Sequence, residues 1–378
     1  MAVVADGVQA AEVVLSCAEL DETLAFFVER LRFRVATIFP ADGPRVAVVT
    51  GHGLRVRLEK GGDAGPGALR LLCTDPSAYA AGAEAVAGGF RLWAPNGARV
   101  DVVEADPPLM LPELQPSLCL SKQTAACWGT GRAGMLYRDL VPDRQGGRFI
   151  ASHIRILEGG EVPDYVHFHE VRFQTIYVVR GWVKVVYEDQ GEPFVMEAGD
   201  CVLQPPKIRH RVLESSPGLE VLEVGCPAEH DTCADPELAL PTAELRPERD
   251  FGGQRFVRHQ AALAGWQPWR LPGFEACDTG IGAATAGLAG VRTVRPLAGA
   301  PADLAAAGGA HEAEFMLWFL LRGTLSVSHG AEGALEDLAA GDSVVLPAGL
   351  RHSLERCSED LQLVEVTLPA DVALARPS

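Results

Sequence analysis

The sequence predicts a mainly β protein in which two related β-barrels follow a small α+β domain. Its 378 residues include 40 glycines and 26 prolines, a turn-rich composition that favours β architecture over a helical bundle. From residue 118 onward, short strand-like segments follow one another at near-regular spacing, as is typical of an antiparallel sandwich or barrel. The later part of this region repeats the earlier part, which indicates that the barrel is duplicated.

The charge balance and the cysteines restrict the partners and the compartment. A formal net charge of −17 argues against nucleic acid and anionic membranes as partners, because both require a basic surface. No run of 18 apolar residues occurs, and the N-terminus lacks a basic stretch followed by an apolar segment, so we expect neither a membrane span nor a signal peptide. The nine cysteines show no paired CxxC spacing. We therefore expect a cytoplasmic protein whose cysteines are mostly buried thiols.

The N-terminal region predicts a domain in which a helix follows the first of several strands. Residues 20–33 carry apolar side chains three and four apart, as an amphipathic helix requires, and Asp21 can cap this helix. The tripeptide at 95–97, Pro-Asn-Gly, is a strong signal for a hairpin turn. The predicted elements are strands at 10–17, 34–39, 45–50, 53–59 and 69–73, a second helix over 76–88, and hairpin strands at 89–93 and 99–104.

This βαβββ order, together with the phrase FRLWAPNGARVDVVE, resembles the vicinal oxygen chelate superfamily, which includes glyoxalase I and the extradiol dioxygenases. The resemblance implies a metal held by a His or Glu on the first strand of each repeat and by a Glu near each repeat's end. Glu59 and Glu104 match the end positions loosely, but the first strand offers Glu12 and Ser16 and no His. We therefore interpret residues 1–110 as a metal-free structural or binding module, with the two end glutamates facing solvent.

Two linkers divide the chain. Residues 105–117 carry four prolines and no periodicity, and a second stretch rich in Pro, Glu and Asp runs from Pro227 to about Asp250. They separate the N-terminal domain from a first barrel at 118–230 and a second barrel at 250–370.

The two barrel regions align at a constant offset of 142 residues. EVRFQTIYVVRGWVKV, from Glu170, aligns with EAEFMLWFLLRGTLSV, from Glu312. AGDCVLQPPKIRHRVLE, from Ala198, aligns with AGDSVVLPAGLRHSLE, from Ala340. The repeat predicts two barrels of one fold, packed against each other as a pseudo-dimer.

The first barrel region carries a candidate metal site. His167 and His169 are two apart on a predicted strand, so their side chains point to the same face. A third imidazole, His210, returns on a later strand and can complete a facial set. Three core histidines without a metal would each need another buried hydrogen-bonding partner, so we favour a metal site.

The residues around these histidines resemble the two signature motifs of the cupin superfamily. The first motif of that family is Gly, a spacer, His-x-His, Glu and Gly, and the second is Gly, Pro, Gly and His. The chain supplies Gly160, His167, His169, Gln174 and Gly181 for the first motif, and Gly199, Pro205, Lys207 and His210 for the second. Gln174 therefore stands where Glu is usual, and Lys207 stands where Gly is usual.

The resemblance implies two tandem cupin jelly-roll barrels, each a double-stranded β-helix, with one divalent metal inside the first. Carried over residue by residue, His167, His169 and His210 are the metal ligands, and Gln174 is a weak ligand or an amide just beside the ligands. Fe(II) is the ion we expect. Mn, Zn, Ni and Cu are alternatives, because imidazole suits several transition metals.

Glutamine in place of glutamate leaves three neutral imidazoles around the full 2+ charge of the ion. Such a site favours a small anionic chelating substrate, such as a thiol or thione acid, a phenolic acid or an enol acid, and leaves positions for O2. Three-His cupins include thiol, gentisate-type and β-diketone dioxygenases, so the resemblance implies a non-haem Fe(II)-dependent dioxygenase. The alternatives are a Mn-, Zn- or Ni-dependent isomerase, lyase or hydrolase, and a non-catalytic small-molecule-binding cupin.

Arg155 is a further candidate for the site. His153 and Arg155 alternate on the strand SHIRIL and therefore share one face. If that face is the barrel interior, Arg155 can clamp a substrate carboxylate through two hydrogen bonds; the alternative is a solvent-facing arginine. Strand parity sends Tyr177 to the face opposite Gln174, so we give Tyr177 no catalytic role.

The second barrel is predicted to be degenerate. It keeps His311 and His352, but Gly309 and Met316 take the places of the first histidine and the glutamine. We expect this barrel to act as a scaffold that packs on the first one and shields its edge strands. The partners we expect are a small-molecule substrate and O2. The sequence leaves open the identity of the substrate and the oligomeric state, for which a homodimer is the candidate.

Overall fold

The structure is a computed structural model that describes residues 7–30, 32–51, 53–61, 67–93, 99–131, 134–299 and 308–375. The chain divides into two compact units, one formed by residues 1–110 with 230–235 and the other by residues 111–229 with 236–378. The larger unit contains two barrels, so the predicted fold class is confirmed. Within the described ranges, no helix has the length and apolarity needed to cross a membrane.

The N-terminal unit is built on one mixed β-sheet. Its strands are β1 (Val8–Cys17), β2 (Arg34–Phe39), β3 (Val46–Gly51), β4 (Leu54–Lys60), β5 (Ala68–Cys73), β6 (Glu84–Val86), β7 (Gly89–Trp93) and β8 (Arg99–Glu104). Helix α1 (Leu20–Ala25) continues as a π-helical turn (Phe26–Arg30), and a 3-10 turn spans Pro76–Tyr79. The sheet order is β2-β3-β4-β1-β5-β8-β7-β6, and the later strand Thr232–Ala234 pairs with β2 at one edge.

Two copies of one strand pattern lie side by side in this sheet. β1 pairs with β4 in parallel, β5 pairs with β8 in parallel, and β1 and β5 join the copies as antiparallel neighbours. The first copy has the predicted βαβββ order, but the helix predicted over 76–88 is wrong. Gly82 and Gly88, with φ of 72° and 71°, break that segment, and β6 pairs with β7 instead. The predicted turn at 95–97 lies outside the described residues, although β7 and β8 do pair antiparallel.

Two of the glutamates considered as metal ligands in this unit, Glu12 and Glu59, lie close to arginines. Glu12 is buried, and its carboxylate lies 2.6 Å from Nε of Arg55 and 3.7 Å from Nε of Arg70. Glu59 lies 2.6 Å from Nε of Arg57. Glu59 and Glu104 are both partly buried rather than fully exposed at the strand ends.

The first barrel is formed mainly by residues 119–226. Its segment of the chain contains β9 (Cys119–Ser121), β10 (Gly129–Thr130), β11 (Leu136–Asp139), β12 (Ile150–Ile156), β13 (Gly160–Glu161), β14 (His167–His169), β15 (Phe173–Arg180), β16 (Trp182–Tyr187), β17 (Phe194–Glu197), β18 (Cys201–Leu203), β19 (His210–Ser215) and β20 (Leu219–Cys226). A 3-10 turn (Gln123–Ala125) and a short helix α2 (Arg144–Gly147) lie between these strands, and β21 is the strand Thr232–Ala234 already described.

The second barrel is formed mainly by residues 257–368. Its strands are β22 (Val257–His259), β23 (Gln267–Pro268), β24 (Phe274–Asp278), β25 (Gly290–Pro296), β26 (Phe315–Arg322), β27 (Thr324–His329), β28 (Ala334–Ala339), β29 (Ser343–Val345), β30 (His352–Cys357) and β31 (Gln362–Leu368), with a 3-10 turn (Ala261–Leu263) and helix α3 (Ile281–Ala284). In the first barrel a seven-stranded sheet shares a core with strands β13, β14, β16, β17 and β19, and in the second barrel a seven-stranded sheet shares a core with the three-stranded sheet β28-β27-β30.

The two barrels exchange edge strands. β22, which leads into the second barrel, pairs with β18 of the first, where Cys201 lies opposite His259. β9, which leads into the first barrel, pairs with β29 of the second, where Ser343 lies opposite Ser121. Each exchanged strand covers an edge that would otherwise present unpaired backbone groups. The exchange therefore joins the barrels through backbone hydrogen bonds as well as side-chain packing.

An apolar core lies between the barrels. The rings of Phe149 and Phe315 stack with their centroids 4.3 Å apart, and both side chains are fully buried. The hydroxyl groups of Tyr177 and Thr293 lie 2.9 Å apart within the same core. Tyr177 thus serves the contact between barrels, in agreement with the strand parity argued from the sequence.

We expect Phe149→Ala to lower the free energy of unfolding by about 3–5 kcal/mol, because it removes a fully buried ring from the core shared by the barrels. Urea unfolding followed by tryptophan fluorescence measures the change. Leu335→Ala is the control, because Leu335 on β28 is 49% exposed and its truncation should cost about 0.5 kcal/mol or less. Equal midpoints for the two variants would contradict a shared, cooperative core.

Candidate metal centre

Two neighbouring strands bring the three predicted histidines together. His167 and His169 project from β14 with Phe168 between them, and His210 begins β19 directly opposite His167. The ring centroids of His167 and His210 are 4.2 Å apart, and His169 lies 5.2 Å from His167 and 5.3 Å from His210. Ligand atoms of all three lie within 4.8 Å of one another, and all three side chains are buried. This is the spacing that a single metal ion requires.

Backbone carbonyls determine which ring nitrogen of two histidines can bind a metal. Nδ1 of His167 lies 2.8 Å from the carbonyl oxygen of Tyr165, and Nδ1 of His210 lies 3.0 Å from that of Ile208. A carbonyl only accepts, so in both rings Nδ1 carries the proton and Nε2 carries the lone pair. Hydrogen bonding of the outer nitrogen in this way is typical of metal-ligating histidines.

The three histidines line a small, mostly apolar cavity of about 100 Å³. Aliphatic and aromatic side chains form most of its wall, and Gln204 and Glu223 are the other polar members. The lining residues are Met135, Tyr137, Ile154, Ile156, His167, His169, Ile176, Val183, Val185, Tyr187, Met196, Gln204, His210, Val212, Leu219, Val221 and Glu223. A ligand in this cavity would be small and would contact mainly apolar surface.

A tyrosine and a glutamine support the ring of His210. The ring of Tyr187 stacks on that of His210 at 5.4 Å, and Gln204 Nε2 donates to the Tyr187 hydroxyl at 2.9 Å. Phe256 packs on the other side of Tyr187, with 4.6 Å between the centroids. Burial raises the pKa of the Tyr187 hydroxyl, so it remains a neutral phenol. These contacts fix the orientation of His210 within the cavity.

Gln174 lies next to the cavity and is held by a carboxylate that the sequence reasoning missed. Its Nε2 donates to Oε1 of Glu223 at 2.6 Å, and Gln174 is only 1% exposed. Its own Oε1 is buried and has no hydrogen-bond partner in the part of the chain that the structure describes. The signal for Glu223 was present in the repeat, because VLEV around Glu223 matches LVEV around Glu365 at the same 142-residue offset.

Arg155 does not reach this cavity. Ile154 and Ile156 line the cavity, so the alternation along β12 places Arg155 on the other face of the sheet. There its Nε lies 3.2 Å from Glu220, and its guanidinium stacks 4.2 Å from the ring of Trp128. His153 shares this face, as predicted, with Nε2 2.7 Å from Glu220. The clamp considered for Arg155 is therefore not in place.

Three other residues near the motifs, Lys207, Arg209 and Cys201, have contacts or conformations that indicate a structural role. Lys207, which replaces the usual glycine, has a left-handed backbone with φ of 63°, so the turn keeps the conformation that favours glycine. Arg209 stacks over the ring of Phe168 at 4.2 Å. Cys201 is fully buried, and burial raises the pKa of its thiol to about 12, which keeps it protonated.

The second barrel holds a buried ion pair where the first has its cavity. Nη1 of Arg270 lies 2.6 Å from Oε1 of Glu365, and Trp318 Nε1 donates to Oε2 at 2.9 Å. Burial pushes the pKa of Glu365 upward, but Arg270 and Trp318 more than offset this and hold it below its usual value. Trp318 corresponds by offset to Ile176, so an indole occupies space that is open in the first barrel.

Among the described residues, His311 and His352 are not grouped with a third metal-ligating side chain, although His329 lies opposite His352 in the strand register. The rings of His311 and His352 are 5.6 Å apart, and burial, with a smaller effect of His352, lowers the pKa of His311 to about 4. A Cβ on Gly309 would lie 2.8 Å from the carbonyl oxygen of Ala375, so this position has no room for a ligand side chain. In the part of the chain that the structure describes, the first barrel alone groups three such ligands.

One protein-family model and several solved structures are similar to parts of this chain. Residues 153–224 match the cupin domain family. A mutant of Bacillus subtilis oxalate decarboxylase is similar in structure, with a TM-score of 0.49 and 12% identity over 71% of this chain and 80% of that one. The Lactobacillus farciminis oxalate decarboxylase–formate complex gives 0.47 and 12% over 68% and 87%. Protein Ylba from E. coli gives 0.49 and 10% over 70% and 96%. A search of curated proteins gives no match.

We expect Arg270→Met to lower the free energy of unfolding by about 3–5 kcal/mol, because it leaves the fully buried Glu365 carboxylate without its cation. The shift of the urea midpoint measures the loss. Arg295→Met is the matched control in the same barrel. Arg295 is 45% exposed and pairs with Glu275, so its loss should cost about 0–1 kcal/mol. A double Arg270→Met, Glu365→Gln variant should recover part of the stability, and a double variant as unstable as the single one would contradict this explanation.

We expect wild-type protein to bind one divalent ion per chain and His210→Ala to bind less than about a tenth of that under the same conditions, because two imidazoles cannot replace three. Metal content after loading with Fe²⁺ or Co²⁺ and gel filtration, measured by plasma mass spectrometry, gives the stoichiometry. His329→Ala, on β27 of the second barrel, is the control and should leave the stoichiometry at one. Two ions per wild-type chain would contradict a single-site protein.

Proposed function

We propose that this bicupin, a two-barrel member of the cupin superfamily, is a metal-dependent enzyme that catalyses Fe(II)-dependent dioxygenation of a small anionic substrate. The observation that carries the proposal is the convergence of His167, His169 and His210 on one point in a mostly apolar cavity. Three neutral imidazoles suit a divalent transition metal and leave coordination positions open, as a catalytic ion requires. When bound, the ion would supply Lewis acidity and, as Fe(II), redox chemistry toward O2.

The surrounding residues support catalysis by holding the ligands and excluding water. Tyr187 stacks on His210, and the carbonyls of Tyr165 and Ile208 fix the outer nitrogens of two ligand rings. The aliphatic wall keeps the local dielectric constant low, which strengthens the attraction between an anionic substrate and a cation. The chain thus contributes orientation, desolvation and the choice of substrate.

The cavity favours enols and phenols among the anionic chelators. Among the described residues, its wall contains no lysine or arginine, and Arg155 is paired elsewhere. A substrate with a free carboxylate away from the metal would therefore have no cation to meet it, and burying an unpaired carboxylate is costly. An acidic enol or phenol with a small apolar body places its one anionic group at the metal. We therefore favour this class over thiol acids.

We expect Fe(II)-loaded protein to consume O2 with a β-diketone or a phenolic substrate, and to do so at least about tenfold faster than with a thiol acid such as cysteine. An oxygen electrode, with product analysis by mass spectrometry, measures both rates. Turnover without oxygen uptake, most rapid with Mn, Zn or Ni, would contradict dioxygenation and indicate an isomerase, lyase or hydrolase. Metal binding without turnover of any substrate tried would favour a binding protein.

Gln174→Glu should lower the oxygen-dependent turnover by about tenfold or more, because it replaces the amide that donates to Glu223 with a carboxyl group and adds acidic charge beside the metal. The same electrode assay gives kcat and KM for the variant. Glu220→Gln is the control, since Glu220 lies on the other face of β20, against His153 and Arg155. Unchanged kcat and KM in Gln174→Glu would show that turnover does not depend on the charge beside the ion.

A further inference from the structure

We propose that Glu223 is a positioning residue that fixes the side-chain amide of Gln174 so that its oxygen completes the metal site as a fourth, neutral donor. This inference rests on the metal centre proposed above and adds to it a residue outside both cupin motifs. It also assigns a role to Gln174. The sequence alone does not decide whether this side chain is a weak metal ligand or an amide that only lies beside the ligands.

The chemistry of the contact determines which way the amide faces. Gln174 Nε2 and Glu223 Oε1 are 2.6 Å apart, a short distance typical of hydrogen bonds to a charged group. An ionised carboxylate only accepts hydrogen bonds, so the NH2 group of the amide, and not its oxygen, must face Glu223. Glu223 therefore selects one of the two amide orientations, and the oxygen is directed away from it.

The oxygen selected in this way has no hydrogen-bond partner among the described residues. Gln174 is 1% exposed, and its Oε1 is buried without a hydrogen bond. Leaving a buried carbonyl oxygen unpaired costs about 1–3 kcal/mol. Glu223, to which the amide is hydrogen-bonded, lines the same cavity as the three histidines, so a cation bound there would supply the partner that this oxygen lacks.

Comparison with the second barrel shows which member of the Gln174–Glu223 pair is common to both barrels. Both barrels place a glutamate at the same register, since Ile176 lies opposite Glu223 and Trp318 lies opposite Glu365. In the second barrel Met316 replaces the glutamine, and the carboxylate there holds Arg270 and Trp318. The carboxylate is thus common to both barrels, whereas the amide occurs only in the barrel that keeps three histidines.

This arrangement divides the role of the usual cupin glutamate between two residues. Gln174 would supply a neutral oxygen, and Glu223, which lines the cavity with the three histidines, supplies a negative charge that is hydrogen-bonded to the amide. A hydrogen bond from the amide to a carboxylate polarises the amide and makes its oxygen a better donor. Partners of this kind typically contribute 10–100-fold in metal affinity. The ion would thereby be held without an anionic ligand competing with the substrate.

A double-mutant cycle in metal affinity tests whether Glu223 acts through Gln174. The four proteins are wild type, Glu223→Gln, Gln174→Met and the double variant, methionine being the residue that the second barrel has at this position. We expect Glu223→Gln to weaken Co²⁺ binding by about 10–100-fold in the wild-type background and by less than about twofold in the Gln174→Met background. Competition with a chromogenic chelator gives each dissociation constant, and the visible spectrum of bound Co²⁺ reports a change in its ligands.

Glu220→Gln is the control, because it removes a carboxylate from the opposite face of the same strand; it should leave both affinity and spectrum unchanged. An equal loss from Glu223→Gln in both backgrounds would overturn the proposal, because Glu223 would then act without the amide. Unchanged affinity and spectrum in Glu223→Gln would also overturn it. If the wild type itself fails to bind Co²⁺, the metal centre fails, and this inference fails with it.

Discussion

The pairing of β14 with β19 is the constraint on which the candidate site depends. It places His167 directly opposite His210, and the two-residue repeat of a strand adds His169 on the same face. Backbone carbonyls then orient the rings, and the barrel wall supplies an apolar enclosure. A shift of one residue in this register would turn the imidazoles away from the cavity. The pairings of β19 with β13 and with β16 hold the register of this strand.

The two barrels compensate interior charge in different ways. In the second barrel a guanidinium from Arg270 meets the buried Glu365 carboxylate, and two indoles, of Trp269 and Trp318, occupy the interior. In the first barrel the equivalent carboxylate, Glu223, holds an amide, and the space beside it is bordered by three imidazoles. The second barrel is therefore filled and contains its own cation, Arg270, whereas the first barrel has a cavity bordered by three imidazoles that could hold a metal cation. The second barrel thus differs from the first in two ways: it has Gly309 in place of a histidine, and it has a buried ion pair between Arg270 and Glu365.

Local patterns in the sequence predicted the two barrels and the grouping of the three histidines. Contacts between distant segments of the chain were not predicted. The three candidate ligands follow from motif spacing, and the repeat follows from a constant offset. Parity placed Arg155 and His153 on one face but could not tell which face is interior. The repeat marks the position of Glu223, but its contact with Gln174 on the neighbouring strand could not be read from either segment alone. The exchange of β9 and β22 likewise depends on contacts between segments far apart in the chain, and the helix expected over 76–88 was lost to glycine turns.

The position of the metal tests the central claim most directly. Crystals of the Fe(II)- or Co(II)-loaded protein, measured on both sides of the absorption edge of the metal, would locate the ion by anomalous scattering. We expect one peak per chain, about 2.0–2.2 Å from a ring nitrogen of each of His167, His169 and His210, and none in the second barrel. A peak beside His311 and His352, or a loaded crystal in which the three histidines of the first barrel hold no ion, would contradict the assignment.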